Sequence, residues 1–323
     1  MSTDLINRLK KRNITLSKWA LHNNLTCYRL YTKDLAEFPF ICDIYNEHVV
    51  VWVFDRKKDD TQQKKETYIT TIRECLQKSL QCKESNIHLK FRSKQKGLTQ
   101  QYSKLSSKEK TIIIEENNLK FELNLSDYLD VGIFLDHRKT RKFSQQLVKN
   151  KSILNLFAYT GSFSVYAYSA KASHITSVDL NKNYIQWIEK NFNHNNFKKR
   201  VTDTFVNEDC FKFLTNSKYT QKFDVIICDP PTFSNSKKMN STFSINEDYT
   251  KLLNLCLSKL NPKGIIIFST NSKSFKLNQD SFSENLNFRN ITNKMLPFDF
   301  KGKIPHQCWL LSYCNDSIFN LKL

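Results

Sequence analysis

The apolar positions of the first part of the chain change their period from segment to segment. Residues 4–23 place apolar side chains at helical spacing among scattered charges, which predicts an amphipathic helix. Short β-rich runs follow at 27–31, 40–45 and 49–54. Helical spacing returns over 67–81, and 86–92 alternates as a half-buried strand does. Runs at 111–115 and 119–125 flank Asn117 and Asn118 as the arms of a hairpin. Residues 1–125 therefore read as an N-terminal α+β domain, one small sheet with a helix across it. Within it, residues 92–110 (RSKQKGLTQQYSKLSSKEK) are polar and basic, with Gly97 as a breaker. They are either a solvated loop or an arm that contacts RNA.

The rhythm changes over residues 126–323. Apolar strands at 153–159, 174–180, 204–209, 223–229 and 264–271 alternate with helices at 162–172, 183–195, 210–215 and 246–260. That alternation predicts an α/β domain with a largely parallel, doubly wound, Rossmann-like sheet. Ligands of such sheets bind beyond the carboxyl ends of the strands, so the loops after the strands are the places to look for chemistry.

Composition narrows the classes. A chain of 323 residues is long enough for two domains with cores of their own, and 40% hydrophobic residues with 24 Phe argue for a globular fold. A net charge of +19 points to a polyanionic partner, nucleic acid or an anionic membrane surface, beside a background bias toward Lys and Asn. No apolar run approaches the roughly 18 residues of a membrane span. The N-terminus lacks the apolar core and cleavage site of a secretion signal. Nine Cys with no CxxC pair and no zinc spacing read as free thiols in a reducing, cytoplasmic setting, with no metal expected.

The loop after the first parallel strand reads NLFAYTGSF (155–163). It has one glycine, Gly161, where a dinucleotide site would have three, so a diphosphate is disfavoured while a nucleoside remains admissible. An ordinary tight turn is the other reading. Asp179 ends the next strand and suits a ribose diol, in preference to a helix cap, because it follows Gly161 by close to the ~20 residues expected of a ribose-binding acid. Asp209 either accepts from an adenine amino group, with Cys210 and Phe211 against the ring, or caps the next helix. His137, in DHR (136–138), is a candidate base, but a helix-start residue bonded to backbone is the stronger reading. The run FDVIICDPPTFSNSKKM (223–239) ends an apolar strand on Asp229-Pro230-Pro231. Two prolines stiffen the path and remove two donors, which builds a rigid rim for a flat ring. Phe233 is placed to stack on a base, and Lys237 and Lys238 lie where a nucleic-acid backbone would pass.

Together GIFLDHR (132–138), NLFAYTG (155–161), Val178-Asp179 and DPPTFSNSKKM (229–239) resemble the class I S-adenosylmethionine-dependent methyltransferases. More narrowly they are similar to the guanine-N7 methyltransferase half of the bacterial bifunctional 23S ribosomal RNA large-subunit enzymes. RLKK (8–11), Trp19, CYRLY (27–31), QKG (95–97) and HQCW (306–309) extend the likeness over nearly the whole chain.

The resemblance implies a seven-stranded sheet with a reversed last strand near 307–314. It implies S-adenosylmethionine held by Phe134, Asp136, Arg138, Asn155, Phe157, Tyr159, Thr160, Gly161, Ser162, Phe163, Asp179, Leu180, Asn207, Asp209 and Cys210. A guanine would sit at Asp229, Pro230, Pro231 and Phe233, with RNA along Lys94, Lys96, Lys237 and Lys238. The expected substrate is 23S rRNA or a large-subunit precursor. The expected partner is a separate guanine-N2 methyltransferase half, the chain being a free-standing version or one gene of a split pair. The rivals are cytosine C5 chemistry, disfavoured because strand 264–271 carries no Cys, guanine N2 chemistry, a small-molecule methyltransferase and a catalytically dead RNA-binding protein.

Overall fold

A computed structural model describes residues 2–56, 59, 61–92, 109–235, 242–315 and 320–321. Lys94, Lys96, Lys237 and Lys238 lie outside the described residues. The chain divides into two compact units, Met1–Val131 and Gly132–Leu323.

In the first unit, helix α1 (Ser2–His22) buries Leu5, Leu9, Leu16 and Ala20, the single face that 3.6-residue spacing predicts. It is followed by β1 (Cys27–Thr32), β2 (Phe40–Tyr45), β3 (His48–Phe54), α2 (Gln62–Leu80) and β4 (Ile87–Arg92). Thr61 caps α2 by accepting from Lys64 N–H, and Gln81 ends it in the left-handed region. The strands form one sheet in the order β1-β2-β3-β4, with β4 parallel to β3. A hairpin of β5 (Thr111–Glu116) and β6 (Leu119–Asn124) is a separate two-stranded sheet, so this unit has two sheets rather than the single one expected. Asn117 and Asn118 both have positive φ, 53° and 63°, as a two-residue hairpin turn requires.

The second unit opens with α3 (Arg138–Leu147), β7 (Ser152–Leu156), α4 (Ser162–Ser169), β8 (His174–Asp179), α5 (Lys182–His194), β9 (Thr204–Asn207), α6 (Cys210–Thr215) and β10 (Phe223–Cys228). It continues through β11 (Phe233–Ser234), β12 (Phe243–Ser244), α7 (Ile245–Ser258), β13 (Leu260–Thr270), β14 (Asn287–Asn290), α8 (Thr292–Met295) and β15 (Gln307–Ser312). Seven strands form the sheet β14-β15-β13-β10-β7-β8-β9. β15 runs antiparallel to β13, the reversed strand that the resemblance implies. β14, too short and polar to show a strand period, is the edge strand that periodicity missed. β13 begins earlier than its apolar run because residues 261–264 bulge between the pairings Phe223–Leu260 and Val225–Ile265, which accommodates Pro262 and Gly264.

Ile153, Leu154, Ile226, Ile227, Ile266 and Ile267 are at most 1% exposed, which is why these strands read as continuous apolar runs. Burying each such side chain stabilises by about 1.5–3 kcal/mol. Among the described residues, no helix is long and apolar enough to cross a membrane.

Candidate functional site

Register decides which side chains meet. Phe268, Cys228, Leu156, Val178 and Val206 pair in one row across β13, β10, β7, β8 and β9. One residue further on, Ser269, Asp229, Phe157, Asp179 and Asn207 therefore stand at neighbouring strand ends. β7 lies between β8 and β10, so the direction of winding switches there and a crevice is expected at this edge.

The loop after β7 is folded tightly. Phe157, Tyr159 and Gly161 have φ of 54°, 51° and 74°, and left-handed backbone at the first two costs of order 1–3 kcal/mol each. Tertiary bonds hold it: Phe157 N–H points to Cys210 Sγ at 3.3 Å, Ala158 N–H donates to Val178 O at 3.0 Å, and Tyr159 N–H donates to Asp179 Oδ2 at 2.8 Å. Thr160 Oγ1 donates to Gly132 O, and Asn191 donates to Thr160 O. A Cβ on Gly161 would lie 2.7 Å from Ile188 Cγ1, so this glycine lets the turn approach α5.

Asp179 receives a second backbone N–H, from Asn181 to Oδ1 at 2.8 Å. Burial pushes its pKa up to about 6, against the pull of those two bonds. Each oxygen keeps a lone pair, so the carboxylate is able to accept from a vicinal diol. Asn207 ties β9 to this corner by donating to Asp179 O and Leu180 O. Asp209 caps α6 through Lys212 N–H at 3.0 Å. Half-buried Phe157 and Leu180, and Phe134 at 39% exposure, supply apolar surface for a flat ring. The Phe134 and Tyr159 rings lie 5.2 Å apart.

Several expected site residues are buried or bonded within the fold. Asn155 is buried and donates to Ser164, which bonds Ser177, locking β7, α4 and β8 together. Phe163 is buried in α4, and Ser162 at the start of that helix is half-buried. Arg138 is buried with Nη1 3.0 and 3.1 Å from the two oxygens of buried Asp299. Cys210 is buried, and its thiol is pushed well up by burial.

At the end of β10, Asp229 Oδ1 accepts from Ser269 Oγ at 2.6 Å, and Oδ2 lies 3.3 Å from His137 Nε2. Pro230 is buried, while Pro231 and Phe233 are half-buried. Phe233 is held in the short β11–β12 ladder, and Thr232 is bonded to Asn271 and to Ile245 N–H. His137 does start a helix, but its side chain makes no cap and turns to Asp229 instead. Its ring stacks on that of His306 at 3.9 Å and 17°, and His306 Nδ1 meets Asp136 Oδ2 at 3.1 Å. Asp136, His137 and His306 are close enough to suggest a metal triad. The stacked rings argue against one, since their lone pairs lie in parallel planes and do not converge on a point. Ser269 and His306 were not legible as site residues. Ser269 follows only from the β10–β13 register.

The model of the S-adenosylmethionine-dependent methyltransferase family matches residues 50–285. The ribosomal RNA large subunit methyltransferase K/L of Pseudoalteromonas atlantica is 41% identical over 314 residues, covering 96% of this chain and 44% of that protein. Its namesake in Vibrio cholerae is 38% identical over 315 residues, covering 97% and 44%. The chain thus spans less than half the length of these curated relatives. The crystal structure of SMU.776, described as a methyltransferase and complexed with SAH, superposes with a TM-score of 0.77 at 25% identity, covering 96% of this chain and 81% of that one. With a single-glycine turn after the first parallel strand, an acid at the end of the next and an Asp-Pro-Pro strand end, the chain belongs to the S-adenosylmethionine-dependent methyltransferase family, and its cofactor is S-adenosylmethionine.

Proposed function

We propose that this chain transfers a methyl group to N7 of a guanine in 23S ribosomal RNA. The observation that carries the reading is the row of strand ends: Asp179 and Phe157 stand beside Asp229, so a nucleoside seated on the first two lies next to a base seated on the third. In this reading Asp179 accepts the ribose hydroxyls, while Phe134, Phe157 and Leu180 face the adenine. Asp209 takes its amino group, and Asn207 holds the corner. Thr160, Gly161, Asn155, Ser162, Phe163 and Arg138 keep the loop and its helices in place.

The cofactor supplies an electrophilic methyl on a sulfonium and departs as a neutral thioether when a base lone pair takes that methyl. Guanine N7 has such a lone pair and no proton to lose. The chain needs only to hold it in line, and orientation of this kind is worth up to about 7–11 kcal/mol. Asp229 suits guanine, whose Watson–Crick edge presents two adjacent donors to a carboxylate and leaves N7 on the other edge. Phe233 stacks on the base, and Lys94, Lys96, Lys237 and Lys238 follow the RNA backbone.

Cytosine C5 transfer requires a thiolate. Cys210 and Cys228 are buried, with thiols pushed well up by burial, and this weighs against it. The names of the two large-subunit relatives support ribosomal RNA as substrate. The greater length of those relatives leaves room for the guanine-N2 methyltransferase half that this reading takes as partner. The test is incubation with labelled methyl donor and unmodified 23S rRNA, followed by nucleoside mass spectrometry. 7-Methylguanosine is expected. 2-Methylguanosine, 5-methylcytidine or no product overturns the assignment.

A further inference from the structure

The Asp229 carboxylate is held on its protein side by two groups. Ser269 Oγ donates to Oδ1 at 2.6 Å, and His137 Nε2 stands 3.3 Å from Oδ2. Among the described residues, each oxygen thus has one neighbour able to donate and a lone pair left over. His137 is 5% exposed and comes from the start of α3, far in sequence from β10. Its Nδ1 is buried, with no hydrogen-bond partner among the described residues. A ring in this position is cheapest as the neutral tautomer with hydrogen on Nε2, because a buried lone pair costs less than a buried N–H or an imidazolium. His306 packs flat on one face of the ring and is itself oriented by Asp136, while Phe163 meets it edge-on. The ring cannot swing away without breaking that packing.

We propose that His137 is a positioning residue: with Ser269 it locks the Asp229 carboxylate so that the two remaining lone pairs face the target base as a pair of acceptors. His137 takes no proton from substrate. It acts through Asp229, and the Asp136–His306 pair serves it as a backstop. The proposal rests on the reading of Asp229 as the base-facing residue. It assigns a role to a side chain that the transfer chemistry itself does not require.

The test uses the full chain with unmodified 23S rRNA. His137→Leu fills the space but removes the donor, and His137→Gln keeps an N–H on a side chain able to reach Oδ2. His137→Leu is expected to lower kcat by about 100-fold, the scale of a misplaced reacting group. KM for S-adenosylmethionine and calorimetric affinity for S-adenosylhomocysteine should stay within about twofold. His137→Gln should recover at least about tenfold of that loss. Wild-type kcat in His137→Leu overturns the proposal, and so does equal loss in both variants. Should His137→Leu fail to fold, nitrogen-15 NMR of the wild-type ring decides. Hydrogen on Nε2 is expected at pH 7.5, and hydrogen on Nδ1 or an imidazolium overturns it. If the methylated nucleoside is not 7-methylguanosine, the functional reading fails, while dependence of the observed transfer on His137 still tests this one.

Discussion

Ser269 Oγ donates to Asp229 Oδ1 at 2.6 Å because Phe268 and Cys228 are in parallel register, which brings the next residue of each strand side by side. Ser269→Ala removes a bond to a charged group, worth about 1.5–3 kcal/mol, at a site 1% exposed. Two effects are expected: a loss of that size in urea unfolding, and a fall in kcat with KM for S-adenosylmethionine unchanged. A variant that loses stability yet keeps full kcat would separate Ser269 from catalysis.

In the proposed reading, Asp179 gives the cofactor site a pH dependence. The folded carboxyl holds its proton up to about pH 6, the unfolded one to about 4. Between these values the folded state binds more protons, so raising pH through this window removes stability from the unliganded chain. Ligand affinity runs the other way, because the ionised carboxylate is the better acceptor for ribose hydroxyls. Thermal stabilisation by a fixed concentration of S-adenosylhomocysteine is expected to grow from pH 5 to 7.5. Asp179→Asn should flatten that profile, and a flat wild-type profile would contradict the role.

Gly161→Ala meets two obstacles. Left-handed backbone at φ 74° costs a non-glycine residue about 1–2 kcal/mol, and the new Cβ meets Ile188 at 2.7 Å. The double variant with Ile188→Ala removes the 2.7 and 2.8 Å contacts but keeps Cβ at 3.1 Å, so relative to Ile188→Ala alone the glycine change should cost the backbone part and only a small remainder from crowding. Denaturant unfolding of the four-member cycle measures this.

Arg138 is expected to matter for folding before it matters for binding. Arg138→Ala removes the guanidinium partner of buried Asp299, at a cost of about 3–5 kcal/mol. Arg138→Met with Asp299→Leu should recover most of this. Calorimetry with S-adenosylhomocysteine at low temperature should then show near-normal affinity in the double variant. A persistent loss there would mean that the guanidinium serves the cofactor directly.

Replacing Lys94, Lys96, Lys237 and Lys238 with Glu should weaken RNA binding. The slope of log affinity against log salt should also fall by about 0.7–0.9 for each phosphate that is no longer neutralised. S-Adenosylhomocysteine binding should not change. Undiminished methyl transfer by this variant would favour a small-molecule substrate.

Much of the fold was legible because it is local. Apolar runs such as FDVIICD and GIIIFST name parallel strands by their continuity, and helices such as α1 announce their buried face by spacing. Two short pieces escaped this signal: β14, a polar edge strand of four residues with no period, and the separate β11–β12 ladder, two residues on each side. The strand-end positions of Asp179 and Asp229 were legible by place, since each ends an apolar strand. His137 was seen as a helix start and misread as bonded to backbone, because nothing in the order of residues tells which way a side chain turns.

The order of residues by itself determined the alternation of strands and helices, the single-glycine turn, the acids at the strand ends and the stiff Asp-Pro-Pro rim. These depend on side-chain chemistry and on neighbours a few positions away. Only the tertiary structure decided which strands lie side by side and in what register, and hence that Ser269, Asp229, Phe157, Asp179 and Asn207 share one row. It alone brought His137 and His306, 169 positions apart in the numbering, face to face behind Asp229. Such pairings follow from how sheet and helices pack to bury the core as a whole, and no local pattern carries that information.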